Sequence, residues 1–227
     1  MMINHFLGSR DAVRLAETSV GWLHEFFGQK TITIFHATLQ LKQFEVFFAD
    51  VDRAISLALP LSRLGWIQKR CSQLIEDESA YRITTLVIET LHFFSETAAA
   101  IECLGWIGVV VLSPCVEGLA FTASTFACLA NLIDFSQKVY DNYLIYHAPT
   151  EYKAFHWHEG LGEPSLKVEW SKNLCEMIAD LAQFSTDFFK GLAYFYGLRS
   201  MTPTLHRFWR TSAAVSHSIR SYLDSKG

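Results

Sequence analysis

The sequence predicts an all-α protein, an apolar-rich bundle of seven to eight helices that associates with a membrane or holds a membrane-embedded hairpin. Apolar residues recur at three- and four-residue spacing along most of the 227 residues. Half of the residues are hydrophobic and only 19% are charged. Only 5 Pro and 12 Gly interrupt the helical pattern. We therefore expect residues 1–227 to form a single helical domain.

The first helix is predicted between a cap at Ser9 and a stop at Gly28. The following run, Thr31 to Phe35, is β-branched and suits a strand, but helical spacing continues through Phe48, so we expect a helix there. Pro60 then divides the chain into a short helix before it and another after it. The apolar positions that define the first helix are Val13, Ala16, Val20, Leu23 and Phe27.

A basic amphipathic helix is predicted at residues 61–75. The stretch from Arg53 to Ile75 carries four cationic side chains and no acidic one. Its apolar residues step by three or four, its cations fall mostly off that stripe, and Trp66 lies at the edge. Such a helix is attracted to anionic headgroups, although most amphipathic helices pack on their own protein. The predicted membrane-binding residues are Leu61, Arg63, Leu64, Trp66, Ile67, Lys69, Arg70 and Leu74.

An apolar hairpin is predicted at residues 97–133, where Glu102 and Glu117 are the only charged residues and Pro114 lies near the middle. Each half is roughly 14 to 16 apolar residues, which is shorter than the ~20 that cross a bilayer. The hairpin is expected either to dip into a membrane or to form the core of a soluble bundle.

The rest of the chain is predicted to contain an exposed loop at 148–165, rich in Gly and Pro, and C-terminal helices at 166–225. The residues from Arg199 onward have a surplus of cations interleaved with aromatic side chains, which suits a headgroup region. The whole chain nevertheless has a net charge of −4 and a pI near 6.1, which argues against nucleic acid as a partner.

No catalytic motif is found, so we expect a protein that is not an enzyme and has no cofactor. His156 and His158 could bind a metal, but no third ligand is placed by the sequence, so no metal site is predicted. The 5 cysteines are odd in number and form no CxxC pair, which favours a reducing compartment. The opening residues lack the apolar core of a secretory signal, so an intracellular protein is expected.

Four segments, in the same order, resemble the peroxin-11 family of peroxisomal membrane-elongation proteins. Ser9–Leu15 is similar to an opening Gly-Arg-Asp-Lys-x-x-Arg segment, with Ala12 in place of the usual lysine. Ser56–Lys69 resembles a basic segment built around Arg-Leu-Gly. Leu86–Val110 is similar to the family's long apolar helix, and Lys172–Glu176 to its Lys-Asn-x-Cys-Asp. The last helix departs from the family, because it is more polar than the family's C-terminal segment.

The resemblance implies a protein of the peroxisomal membrane, or of a related organelle. It also implies a homo-oligomer that elongates membranes before fission and contacts the organelle fission machinery. Insertion of residues 61–75 into one leaflet of an anionic membrane would favour curvature. Two other expectations remain: a soluble, cytoplasmic helical-bundle interaction module, and a carrier that encloses an apolar ligand.

Overall fold

The computed structural model describes residues 2–27, 31–34, 37–76, 79–109, 116–156, 165–196 and 202–224. These residues form eight helices and one short β-hairpin, so the predicted all-α class and the number of helices are confirmed. In chain order the elements are α1 (Met2–Phe27), β1 (Thr31–Ile34), β2 (Ala37–Gln40), α2 (Leu41–Ser56), α3 (Leu59–Glu76), α4 (Ala80–Trp106), α5 (Val116–His147), α6 (Pro149–His156), α7 (Leu166–Tyr196) and α8 (Pro203–Asp224).

The β-hairpin corrects the prediction of a helix beginning near Thr31. Strands β1 and β2 pair antiparallel, with Thr31 opposite Gln40 and Ile34 opposite Ala37. The alternating Thr and Ile residues of β1 are β-branched, which favours extended backbone over helix. Helix α2 therefore begins only at Leu41.

The break predicted at Pro60 is confirmed, although it lies slightly earlier in the chain. Helix α2 ends at Ser56, and α3 begins at Leu59 after a two-residue turn. Pro60 lies in the first turn of α3. Backbone N–H groups in the first turn have no acceptor within the helix, so a proline there removes no helical hydrogen bond. The predicted basic helix 61–75 is therefore observed as α3.

The exposed loop predicted at 148–165 is wrong for its first half. Residues 149–156 form α6, with Pro149 at its first position and Tyr152 only 2% exposed. Residues 157–164 lie outside the described residues, and so does His158 of the histidine pair. The C-terminal helices predicted at 166–225 are observed as α7 and α8.

The predicted apolar hairpin 97–133 corresponds to the end of α4 and the start of α5. These helices contact each other. The Ser95 hydroxyl donates to the Ala123 carbonyl at 2.9 Å, and the ring centroids of Phe94 and Phe126 lie 5.5 Å apart. Residues 110–115, including Pro114, lie outside the described residues. Helix α5 continues past the hairpin to His147, and the spacing in the sequence predicts a helix over this same range, from about Val116 to His147.

The long helices form a closed ring around a central space. Each helix of the ring contacts the next, in the order α3, α4, α5, α7, α8, α1 and α2. Helix α2 completes the ring through its contacts with α4 and α3. Small side chains permit the close approach of α7 and α8, where Ala179, Ala182 and Ala213 are almost fully buried and Trp209 packs against them. Helix contacts built on alanine are typical of bundles that cannot use large apolar side chains as their core.

Candidate membrane-facing surface and internal polar cavity

Helix α4 shows how polar and apolar side chains are divided in this bundle. Ile83, Val87 and Phe94 are exposed on its outer side. Glu89 and Glu96 lie on the opposite side and face the central space. A soluble helix places its apolar stripe inward and its charges in water, so α4 has the reverse orientation.

Helices α5, α7 and α8 repeat this reversed arrangement. Among the described residues, the fully buried side chains are mostly alanine, serine, threonine and polar or acidic groups, and Asn131 and Asp141 are among the largest. Many exposed side chains are large and apolar or aromatic, beside a smaller number of polar ones such as Ser136, Lys190 and Ser218. On these three helices the large exposed ones are Leu129, Leu132, Val139, Tyr140, Tyr143, Tyr146, Trp170, Leu174, Ile178, Leu181, Phe188, Phe189, Leu205, Phe208, Val215, Ile219 and Tyr222.

The inward side chains surround a polar cavity of about 1200 Å³. Its lining comes from α1 and from α3 to α8, and it mixes acidic, basic and amide groups. The volume is ample for a small molecule with its hydration water. An isolated buried charge is costly, so charged groups in such a cavity need an ion pair or hydration.

One group of cavity ion pairs joins α3 to α4. The Arg63 guanidinium donates to Glu89 Oε2 at 2.7 Å and to Glu96 Oε1 at 3.1 Å. All three side chains are at least four-fifths buried. A second group is centred on Glu176 of α7, which binds Lys138 of α5 at 2.8 Å and also Arg220 of α8.

A third group of ion pairs joins α1, α2 and α8. Asp52 accepts from Arg10 at 2.9 Å, and both oxygens of Glu17 accept from Arg210 at 2.8 Å. Buried, charge-assisted contacts of this kind fix helix register more than they add stability.

The exposed ends of α1 and α8 are also joined by charge. Arg207 donates to Glu25 at 2.6 Å and to Glu45 at 2.8 Å. Hydrogen bonds from the Thr204 hydroxyl and from Arg207 hold the pKa of the Glu25 carboxyl below its ordinary value. Near α6, burial raises the pKa of the Tyr152 phenol to about 12.

The predicted membrane-binding residues are divided between the two sides of α3. Leu61 and Leu64 face outward and are 74% and 47% exposed, and Lys69 is also exposed. Ile67 and Leu74 are half-buried. Ile75 is 86% exposed on the same helix and was not among the predicted membrane-binding residues.

The cations of α3 do not share the outer side with the leucines. Arg63 points into the bundle and is held by Glu89 and Glu96, so its predicted role at the headgroups is wrong. Arg70 lines the cavity. Lys69 Nζ lies 5.4 Å and Arg70 Cζ lies 5.9 Å from the centroid of the Trp66 ring, so both cations contact this ring.

The acidic partners of Arg63 were missed, although the sequence carries a signal for them. Glu89, His92 and Glu96 recur at three- and four-residue spacing within an apolar helix, which marks one polar side. Among the described residues, no group of three or more His, Cys, Asp or Glu side chains is arranged to hold a metal ion.

One helix among the described residues is long and apolar enough to cross a bilayer, the Gly118–His147 part of α5. Its most apolar window has a mean hydropathy of 1.4, and 17% of that window is buried. The core helix of a soluble bundle passes the same length test but is mostly buried. In α5 most of this window is partly or fully exposed, which is compatible with membrane association.

Comparison with protein families, with characterised proteins and with solved structures gives no match. The class of this protein is therefore defined by its own fold, an all-α bundle with many exposed apolar side chains and a cavity lined largely by polar ones. The peroxin-11 resemblance remains a prediction from the sequence.

Proposed function

We propose that the protein works embedded in the membrane of an intracellular organelle, peroxisome-like in character, as a structural protein that elongates the membrane before division. The observation that carries the proposal is the reversed bundle, apolar outside and charged inside. In water, a leucine or phenylalanine that is about half exposed forgoes roughly half of the ~1.5–3 kcal/mol that full burial supplies. In lipid the same side chains are solvated, and the charges take the interior position that charged residues occupy in membrane bundles.

The unequal lengths of the helices support a role in shaping the membrane. Helix α5 has 32 residues and is about 48 Å long at ~1.5 Å per residue. Helices α2 and α3 have 16 and 18 residues and reach only about 24 and 27 Å. Helices too short to cross a ~30 Å hydrocarbon core occupy one leaflet more than the other, which favours curvature.

Helix α3 is the segment proposed to act on that leaflet. Its exposed Leu61, Leu64 and Ile75 supply apolar area, and the exposed Lys69 supplies attraction to anionic headgroups. Self-association and contact with the organelle fission machinery belong to the same proposal, because many copies multiply the effect of one helix.

The test uses carbonate extraction and microscopy of cells that produce the tagged protein. We expect the protein to stay in the membrane pellet and its organelles to elongate. Leu61→Asp with Leu64→Asp should stay in the pellet but lose elongation, because α5 still holds the protein in the bilayer. The control Gln68→Asp changes a polar exposed residue of the same helix and should elongate organelles normally. Release of the wild-type protein into the supernatant would overturn the proposal.

The polar cavity favours a second candidate function, the passage of small polar solutes through the membrane. A lining rich in carboxylates, guanidinium groups and amides suits hydrated solutes, and it does not suit the apolar ligand of a lipid carrier. Proteoliposomes loaded with a small dye test this candidate. Dye release that requires the protein and stops after a change to a lining residue supports it, and retention of the dye excludes it.

A further inference from the structure

The cavity contains a segment where α5 and α7 face each other with unmatched polar groups. The pair Lys138–Glu176 sets the register of these antiparallel helices. Four residues earlier on α5 and four later on α7, Asp134 and Asp180 fall opposite each other, and their charges interact. Both line the cavity.

The neighbouring cations, Lys138 and Arg220, attract Asp134, but each forms its ion pair with another carboxylate. Glu176 binds both Lys138 and Arg220. Asp134 and Asp180 form no ion pair with any residue that the structure describes. Two carboxyl groups therefore face one space and neither forms an ion pair, an arrangement that is costly unless the pair takes up a proton or a cation joins it.

Three polar atoms on cavity-lining residues of this segment of α5 and α7 have no hydrogen-bond partner in the described part of the chain. They are Asp180 Oδ2, Gln137 Oε1 and Asn131 Nδ2. Their side chains are only 8%, 9% and 2% exposed. The Gln137 amide is held in place because its Nε2 donates to Thr85 Oγ1 at 3.2 Å, which leaves Oε1 as the free acceptor. On these three side chains, the atoms without a hydrogen-bond partner are thus two acceptors and one donor.

We infer that this segment is a binding site for a small organic cation that carries a primary ammonium group beside a hydrogen-bond acceptor, such as an amino alcohol. The ammonium N–H groups donate to Asp180 Oδ2 and Gln137 Oε1, and the Asp134 carboxylate balances the remaining charge. The Asn131 amide donates to the acceptor of the ligand. A bare divalent metal ion fits less well, because the described residues offer no cluster of three or more metal-binding side chains.

The inference goes beyond the proposed membrane role and does not depend on it, since the site lies inside the bundle. The test is therefore made on the full chain in detergent micelles free of amine-containing lipids, by isothermal titration calorimetry with ethanolamine. Saturable binding of one molecule per chain is expected. Asp180→Asn should weaken it about tenfold or more, as loss of a charge-assisted hydrogen bond does.

Asp187→Asn is the matched control, because Asp187 lines the same cavity on the same helix and is paired with Lys190 at 3.6 Å. Binding should be unchanged in this variant. Equal losses in both variants, or no saturable binding by the wild-type protein, would overturn the inference. Circular dichroism of each variant establishes that it is folded.

Two further titrations sharpen the test. Asn131→Leu keeps the volume but removes the donor, so it should abolish the preference for ethanolamine over ethylamine even if Asp180→Asn fails to fold. Potassium chloride that displaces ethanolamine at equal concentration would overturn the assignment to an ammonium group. Displacement by phosphatidylethanolamine in the micelles would assign the ammonium group to a lipid headgroup, and the absence of displacement would assign it to a free amine.

Discussion

Replacing Leu132 by Lys distinguishes an outer surface solvated by lipid from one solvated by water. Leu132 lies at the middle of the Gly118–His147 segment and is 47% exposed on the outer side of α5. In lipid, a lysine at mid-depth costs about 3 kcal/mol relative to leucine. In water, the same change at an exposed position stays within about 0.5 kcal/mol.

The assay measures the fraction of tagged protein that remains in carbonate-washed membranes. A cost of about 3 kcal/mol is a factor of more than 100 in an insertion equilibrium, so the Leu132→Lys variant should be largely lost from the membrane pellet. Leu132→Met is the control, since it changes shape and keeps an apolar side chain, and it should be retained. A Leu132→Lys variant that is retained as well as Leu132→Met would refute the assignment of α5 to the bilayer.

Three other predictions follow from the same structure. Arg63→Ala leaves two buried carboxylates unpaired and should destabilise the folded protein by about 3 kcal/mol. The control Arg53→Ala removes an exposed ion pair and should cost under about 1 kcal/mol, and thermal unfolding in detergent measures the stability of both variants. Ala182→Leu overfills the contact between α7 and α8 and should cost about 1–3 kcal/mol, against little for the exposed Ala12→Leu; equal melting temperatures would contradict that packing. Because the folded pKa of Glu25 is lowered, its stabilising effect is present above the unfolded value of about 4.3 and is lost as the pH falls through the folded pKa. The melting temperatures of wild type and Glu25→Gln should therefore differ near neutral pH and converge in acid.

The helices could be predicted because their signals are local. Three- and four-residue spacing located α3, α5, α7 and α8, and Pro60 located the break before α3. The misses were also local. The β-branched run at Thr31 favoured a strand more strongly than the later spacing favoured a helix. Pro149 was placed in a loop by the prediction, but it is the first residue of α6, a position that proline tolerates.

The site could be predicted only in part, because its contacts join residues far apart in the chain. The spacing singled out the leucines of α3, and the structure shows Leu61 and Leu64 exposed, while their binding to a membrane stays a prediction. The partners of Arg63 lie 26 and 33 residues away, at Glu89 and Glu96. Spacing along one helix carries no information about which other helix lies opposite.

By itself, the sequence determined that the chain is helical and that some helices, α3 among them, have one apolar and one polar side. It could not determine which side faces inward, since periodicity is identical for a bundle and for its inverse. The tertiary structure decided that question, because Arg63, Glu96, Asp134 and Asp180 converge on one cavity while Leu132 and its neighbours cover the outside. The physical reason is the solvent: apolar sides turn inward in water, and charged sides turn inward in lipid.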